Sequence, residues 1–468
     1  MERIESFNGW LNNIVWGPFM LMLIVGTGIY LSIRCNFLQA TKFGHMWKNT
    51  MGTLIGKNRQ KHDKNSVNVS PFEAVSTALA STVGVGNVAG VAGAIVSGGV
   101  GAVFWMWVSA FFGMATKYSE IVLALKYRQT DENGVHSGGP MYYIEKGLNM
   151  KWLAVVFAIF GGLACFGIGN ATQAAEISVA VNNLTGSGYD SSMITGIALA
   201  GLTAIVILGG IKRISRFTSY LVPFMALFYI IGGIVIICMN ITAIPAALGA
   251  IVSEAFSFKA AGGGILGYTI MRGMRYGIAR GVFSNEAGLG SAPIAHAASS
   301  TKDPVKQGLW GIFEVFIDTI IICTITGLVV VIAGIHTEGL TGGALTAASF
   351  AAVIGPFGGT FVRIALLLFA LSTILGWSYY GEVCWGYLTN NNKAVNLAYR
   401  LVFVAVVFIG SISSSSNVLS DTSGLDLAWS IADTLNGLMA IPNLIGLLLL
   451  SGTTIALTKK YFKTGSSL

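Results

Sequence analysis

The sequence predicts an all-α polytopic membrane protein. It would have eleven transmembrane helices, arranged as a 5+5 inverted repeat preceded by one extra N-terminal helix. Three observations predict this. First, 54% of the 468 residues are hydrophobic and only 10% are charged, with a mean hydropathy of +0.70. A water-exposed surface needs far more charge. Second, apolar stretches of about 20 residues recur along the whole chain, the length that crosses a bilayer as a helix. Third, two of these stretches, about 200 residues apart, are interrupted by glycines and polar residues.

The expected spans are 12–34, 71–98, 101–127, 152–184, 192–210, 216–239, 267–298, 307–336, 357–388, 394–412 and 425–457. The basic residues test this count, because cytoplasmic loops are enriched in Lys and Arg. With the N-terminus outside, 21 of the 28 basic residues fall on the inner side, while Arg3 and Lys259 alone fall outside. The other five, Lys117, Arg272, Arg275, Arg280 and Arg363, lie within spans. A wrong helix count would scramble that bias. The expected placement is therefore a multi-pass protein of the cell inner membrane, N-terminus outside and C-terminus cytoplasmic.

The first span, with its apolar run from Trp16 to Ile33, has no cleavable signal pattern and is expected to remain as a helix. With the basic loop after it, it forms a segment 1–70. The second span carries the run Ser81-Thr82-Val83-Gly84-Val85-Gly86-Asn87 and opens the first five-helix block, 71–240. A connector, 241–266, is expected outside. The seventh span carries Gly281-Val282-Phe283-Ser284-Asn285-Glu286-Ala287-Gly288-Leu289-Gly290 and opens the second block, 267–457. The tail 458–468 is expected inside. Because five is odd, the two blocks start on opposite sides. That is the arrangement of an inverted repeat, whose ligand site lies at the broken helices. Two loops match the symmetry. Ser137–Gly147 and Thr341–Phe357 occupy corresponding positions and read either as gating helices or as ordinary amphipathic connectors.

Unwound backbone at mid-membrane survives where it lines a cavity or packs on protein. A break frees N–H groups at one half-helix start and C=O groups at the other half's end. The amides, at a positive dipole end, suit a carboxylate. The carbonyls suit Na⁺. A zwitterionic amino acid and a sodium ion are therefore natural guests. In the second span, amides from Gly84 to Asn87 are candidates for the carboxylate, and carbonyls of Ala80 and Val83 for Na⁺. In the seventh, carbonyls near Phe283 and Ser284 are candidates for the ammonium. Elsewhere, Ser372 and Thr373 can complete the sodium site, or back-bond to their own helix. Gln173 can bond the ligand, and Trp377 can wall the pocket or simply pack. Thr82 and Ile168 complete the expected lining.

The acids Glu120, Glu176, Glu286, Glu314, Asp318 and Glu382 lie in or near spans, where an ionisable residue is a functional candidate. Glu286 sits within the second break. Pairing with Arg280 or Arg275, capping the next half-helix and carrying a proton are its three readings. The five cysteines show neither disulfide nor metal spacing. The net charge of +8 follows membrane sidedness, so no nucleic acid is expected. The five histidines are dispersed over loops and span ends, and no nucleotide-binding loop is present, which argues against an enzyme and against direct ATP drive. A channel would need a continuous polar pore; the chain offers local breaks instead.

Three motifs resemble the alanine or glycine:cation symporter family: Ser-Thr-Val-Gly-Val-Gly-Asn (81–87), Gly-Gly-Pro-Met-Tyr-Tyr-Ile-Glu-Lys-Gly (138–147) and Gly-Val-Phe-Ser-Asn-Glu-Ala-Gly-Leu-Gly-Ser-Ala-Pro-Ile-Ala-His-Ala (281–297). The similarity extends over nearly the whole chain. The resemblance implies a LeuT-type fold, sodium or proton coupling, and a small neutral amino-acid substrate such as alanine or glycine, with glutamine as the alternative. It implies substrate contacts from Gly86, Gln173, Phe283 and Trp377. It also implies a sodium site from the Ala80 and Val83 carbonyls with the Ser372 and Thr373 hydroxyls. One departure stands out. Many members have Thr where this chain has Val85, so any role there falls to backbone. The expected functional unit is a monomer in membrane lipid.

Overall fold

The computed structural model describes residues 2–55, 67–186, 190–256, 268–414 and 423–464. Lys57, Arg59, Lys61, Lys64 and Lys259 lie outside the described residues.

Helices α1 (Glu2–Val15) and α2 (Pro18–Arg34) precede three short ones, α3 (Leu38–Thr41), α4 (Phe43–Asn49) and α5 (Met51–Ile55). Next come α6 (Pro71–Thr82) and α7 (Val91–Gly98), the halves of a broken helix, then α8 (Ala102–Tyr127). A small antiparallel hairpin, β1 (Gln129–Thr130) and β2 (His136–Ser137), leads into α9 (Pro140–Leu148). A π turn at Gly167–Ala171 joins α10 (Lys151–Phe166) to α11 (Thr172–Thr185). After α12 (Ser192–Ile207), α13 (Gly210–Met239) and α14 (Ile244–Ala255) comes a second broken pair, α15 (Tyr268–Asn285) and α16 (Ala292–Ala297). A π segment, Phe316–Cys323, joins α17 (Pro304–Val315) to α18 (Thr324–Ala333). The rest are α19 (Gly342–Ile354), α20 (Pro356–Leu388), α21 (Lys393–Ile412), α22 (Ser423–Leu449) and α23 (Ser451–Thr464).

Several helix starts are written into the sequence. Pro18, Pro71, Pro140, Pro304 and Pro356 each open a helix, where a missing N–H costs nothing. Ser70 and Glu73 form a reciprocal cap on α6: Glu73 N donates to Ser70 Oγ at 3.2 Å and Ser70 N to Glu73 Oε2 at 2.7 Å. Asp303 caps α17 by accepting from Val305 N and Lys306 N. Helices approach closely at glycines. A Cβ on Gly28 would lie 2.9 Å from Phe112 O, so α2 and α8 touch backbone to backbone.

Among the described residues, eight helices are long and apolar enough to cross a membrane, or nine with the broken pair Pro71–Thr82 and Gly86–Gly98, bent by 48°. The other two expected spans fall short for visible reasons. α12 has only 16 residues, and α15 carries Arg272, Arg275 and Arg280. Boundaries differ from expectation at both ends of the chain. The first span runs over Arg3–Arg34, with a turn at Trp16 and Gly17 before α2. The amphipathic α1 before it lies on α22, with Asn8 bonded to Ser430 and Asn12 to Asp433. The last span ends at Leu449, and the expected tail opens instead within α23. The connector 241–266 holds a helix, α14, begun by Pro245.

Candidate functional site

The first break is made by one side chain. Gly84 N does not continue the helical ladder to Ala80 O; it donates to Asn87 Oδ1 at 2.8 Å. Val83 is extended, with φ −77° and ψ 93°. Its carbonyl accepts only a long 3.5 Å bond from Ser372 Oγ. Ala80 O and Val83 O are thereby released side by side. Among the described residues, no protein acceptor takes Val85 N or Gly86 N. The free amides are therefore these two, a narrower set than Gly84–Asn87, because Asn87 N is itself bound to Gly84 O at 3.2 Å.

The second break starts later than the sequence suggests. Glu286 N still donates to Val282 O at 2.8 Å, which keeps the helix wound through Asn285. The chain then turns through Glu286 (φ 56°), Gly288 (φ 94°) and Gly290 (φ 83°) before α16. Side chains again intercept the amides. Asn285 Oδ1 takes Ala287 N at 3.0 Å, and Glu120 Oε1 takes Gly288 N at 3.0 Å. The carbonyls of Phe283 and Ser284 lose their usual partners, as the sequence suggested for them. Glu286 does not pair with arginine. Its Oε2 accepts from Ser291 Oγ at 2.5 Å, at the start of α16. Arg275 bonds Asn13, and Arg280 lies over the Phe283 ring at 5.4 Å.

Most of the expected residues meet between these breaks. A Cβ on Gly86 would sit 3.4 Å from the Phe283 ring, and one on Gly84 would sit 3.6 Å from Gln173 Oε1 and collide with Thr373 Oγ1. Gln173 Nε2 donates to Ile168 O at 3.0 Å, a carbonyl exposed by the π turn. Its Oε1 is buried with no protein partner, an orphaned acceptor aimed at the first break. Ser372 and Thr373 both donate to Phe369 O, at 2.8 and 3.0 Å. The Thr373 proton is spent within the helix, and the Ser372 proton goes mainly to Phe369 O with Val83 O as its distant second acceptor, which leaves the lone pairs of both hydroxyls available. Trp377, 2% exposed, wedges against Gly169, and Thr82 Oγ1 bonds Ala78 O in its own helix at 3.2 Å. Trp377 and Thr82 are thus packed rather than open.

Sodium fits this donor set. Ala80 O, Val83 O, Ser372 Oγ and Thr373 Oγ1 are neutral hard oxygens, two of them stripped of helical partners.

Two buried networks were not assembled by sequence reasoning. Asp318 joins the breaks: its Oδ1 accepts from Asn87 Nδ2 at 2.6 Å, and its Oδ2 from Ser284 Oγ at 2.9 Å and Thr319 Oγ1 at 2.7 Å. Lys117 Nζ lies 3.1 Å from Glu314 Oε1, and His296 Nε2 lies 3.0 Å from Glu314 Oε2. Gln307 continues the chain to His296 Nδ1 at 2.9 Å and to Pro71 O at 3.4 Å. His296 is wholly buried in the last turn of α16, at the span end where the sequence puts it. The signal available was a charged residue in an apolar run; the partners lie too far along the chain to be read from it.

The sodium:alanine symporter family model matches residues 1–467. The chain belongs to that family. The symporter is 51% identical to the sodium/alanine symporter AgcS of Methanococcus maripaludis, over 96% of each chain. It is 38% identical to the "Probable sodium/glutamine symporter GlnT" of Bacillus subtilis, over 98% of this chain and 91% of that one. The crystal structure of MhsT in complex with L-phenylalanine superposes with a TM-score of 0.57 at 14% identity, covering 83% of this chain and 98% of that one. The symporter is therefore a multi-pass membrane transporter with a LeuT-type fold.

Proposed function

We propose that this symporter couples Na⁺ entry to uptake of alanine or glycine by alternating access. The observation that carries the reading is the meeting of freed groups at the first break. Amides of Val85 and Gly86, carbonyls of Ala80 and Val83, and the orphaned Gln173 Oε1 all converge there. The Val85 and Gly86 amides would hold the substrate carboxylate, as a helix-start dipole favours. The Phe283 and Ser284 carbonyls and Gln173 Oε1 would take the ammonium, with Ile168 fixing Gln173. The closeness of Phe283 to Gly86 favours a small side chain. Asn87 and Thr82 would shape the break, and Trp377 would wall it. Ala80, Val83, Ser372 and Thr373 would hold Na⁺, whose charge would tie the first break to α20.

The wider architecture follows the same reading: eleven spans, blocks 71–240 and 267–457 as inverted repeats after segment 1–70, connector 241–266 outside and tail 458–468 inside. The N-terminus faces out and the C-terminus the cytoplasm, in a monomer. The Lys117–Glu314–His296–Gln307–Pro71 chain supports the motion. It fastens α6, α8, α16 and α17, the first two spans of each block, into one body that can rock against the rest.

In proteoliposomes, alanine uptake is expected to require an inward Na⁺ gradient and to stop when choline replaces Na⁺. A second reading, proton coupling, is favoured by the Asp318 carboxylate at both breaks. Uptake that ignores Na⁺ but collapses with a protonophore would select it. Stronger competition by glutamine than by glycine would move the substrate assignment. Gln173→Ala is expected to weaken alanine binding about 10- to 100-fold, the loss of a bond to a charged group. Titration calorimetry showing parental affinity would misplace the pocket.

A further inference from the structure

Where α2, α3 and α23 meet, a recess of about 120 Å³ is lined by Arg34, Lys42 and Lys459 together with Leu38, Ile455 and Phe462. Its three cations converge without a counter-charge among the described residues. Arg34 donates to the Tyr30 hydroxyl at 3.2 Å and lies over that ring at 5.6 Å. Lys42 lies over the Phe462 ring at 5.2 Å. Among the described residues, no carboxylate is within ion-pair distance of any of the three. The Cys35 thiol is raised to about 11 by burial, against an opposing pull from both Arg34 and Lys459. The two cations, 425 positions apart in the chain, therefore act on one point. Like charges gathered this way repel unless an anion joins them.

We propose that this recess binds the phosphate of an anionic phospholipid headgroup, clamped by Arg34, Lys42 and Lys459. The matching chemistry is a phosphate oxyanion, which arginine and lysine hold with charge-assisted bonds. The walls argue for a lipid as its source. Leu38, Ile455 and Phe462 give the recess an apolar rim, and Ile33 and Phe37, next in the chain to lining residues Arg34, Asn36 and Leu38, are apolar and 56% and 40% exposed. Asn36 and Phe37 both have positive φ, 55° and 48°, and turn the chain sharply at the end of α2. A free phosphate gains nothing from that rim, whereas acyl chains do. Basic residues beside a membrane helix attract anionic lipid in this way. The bound headgroup would staple the first long helix to the last.

Native mass spectrometry of the purified protein, titrated with phosphatidylglycerol, phosphatidylcholine or inorganic phosphate, tests this. One phosphatidylglycerol per monomer is expected to be retained, in preference to phosphatidylcholine. Each cation removed is expected to weaken it about fivefold, so Arg34→Gln/Lys459→Gln would weaken it about 25-fold. Lys42→Gln, which removes only an exposed side chain, gives the same reading should the double variant not fold. Lys302→Gln and Lys212→Gln, equal charge losses elsewhere, should bind like the parent. Unchanged binding by the recess variants, or equal losses in the controls, would overturn the site. Displacement of the lipid by millimolar inorganic phosphate would overturn the lipid as the source.

Discussion

Asn87→Ala is expected to lower alanine uptake about 100-fold and to destabilise the protein by about 2 kcal/mol. The side chain is wholly buried and holds two structures at once. Its Oδ1 takes Gly84 N at 2.8 Å, and its Nδ2 donates to Asp318 Oδ1 at 2.6 Å. Without it, Gly84 N can return to Ala80 O. The helix then rewinds and covers the carbonyl proposed for the ion. Asp318 also loses a charge-assisted bond at a fully buried position. Asn87→Asp keeps the acceptor but faces a second carboxylate across 2.6 Å, and it is expected to be as inactive as alanine at neutral pH. Initial uptake rates in proteoliposomes check both variants. An Asn87→Ala protein that retains most of its rate would mean that the break stands without its clamp.

Lys117→Met is expected to cost about 3–5 kcal/mol of stability, because it leaves Glu314 buried and charged with only His296 beside it. Adding Glu314→Gln in the same chain should recover most of that loss, since the orphaned charge disappears. The four melting curves of the double-mutant cycle measure the coupling. Additive losses would show that Lys117 and Glu314 matter separately, and the single rocking body would lose its main fastening.

The broken helices were legible because their cause is local. Gly84 and Gly86 with Asn87 sit within four residues, and so do Asn285 and Gly288. The donor groups at the first break followed from the same run. The register of the second break was less legible. Whether Phe283 or Glu286 starts the unwinding depends on Glu120, which takes Gly288 N from another helix. Asp318 and Glu314 showed themselves only as acids in an apolar stretch. What separates them is their partners, Asn87 and Ser284 for one and Lys117 and His296 for the other, and packing alone brings those together. The same holds for Trp377. Its identity suits a pocket wall, but the π turn at Gly167–Ala171 brings Gly169 against it, and no local pattern announced that turn.

The two breaks also differ in when each can form. Asn87 is three residues from the amide it holds, so the first break can close as soon as that segment leaves the ribosome. Gly288 depends on Glu120, 168 positions earlier, for its N–H, and on Asn443, 155 positions later, for its carbonyl. Chains are made from the N-terminus. Glu120 is thus already in the bilayer when Gly288 arrives, but the carbonyl must wait for α22. Asn443 donates to Glu120 Oε1 as well, at 2.6 Å, and accepts from the Tyr143 hydroxyl. The arrival of α22 near the end of synthesis therefore locks a helix made much earlier, so a nascent chain stalled before α22 would carry a ligand cavity with only one finished wall.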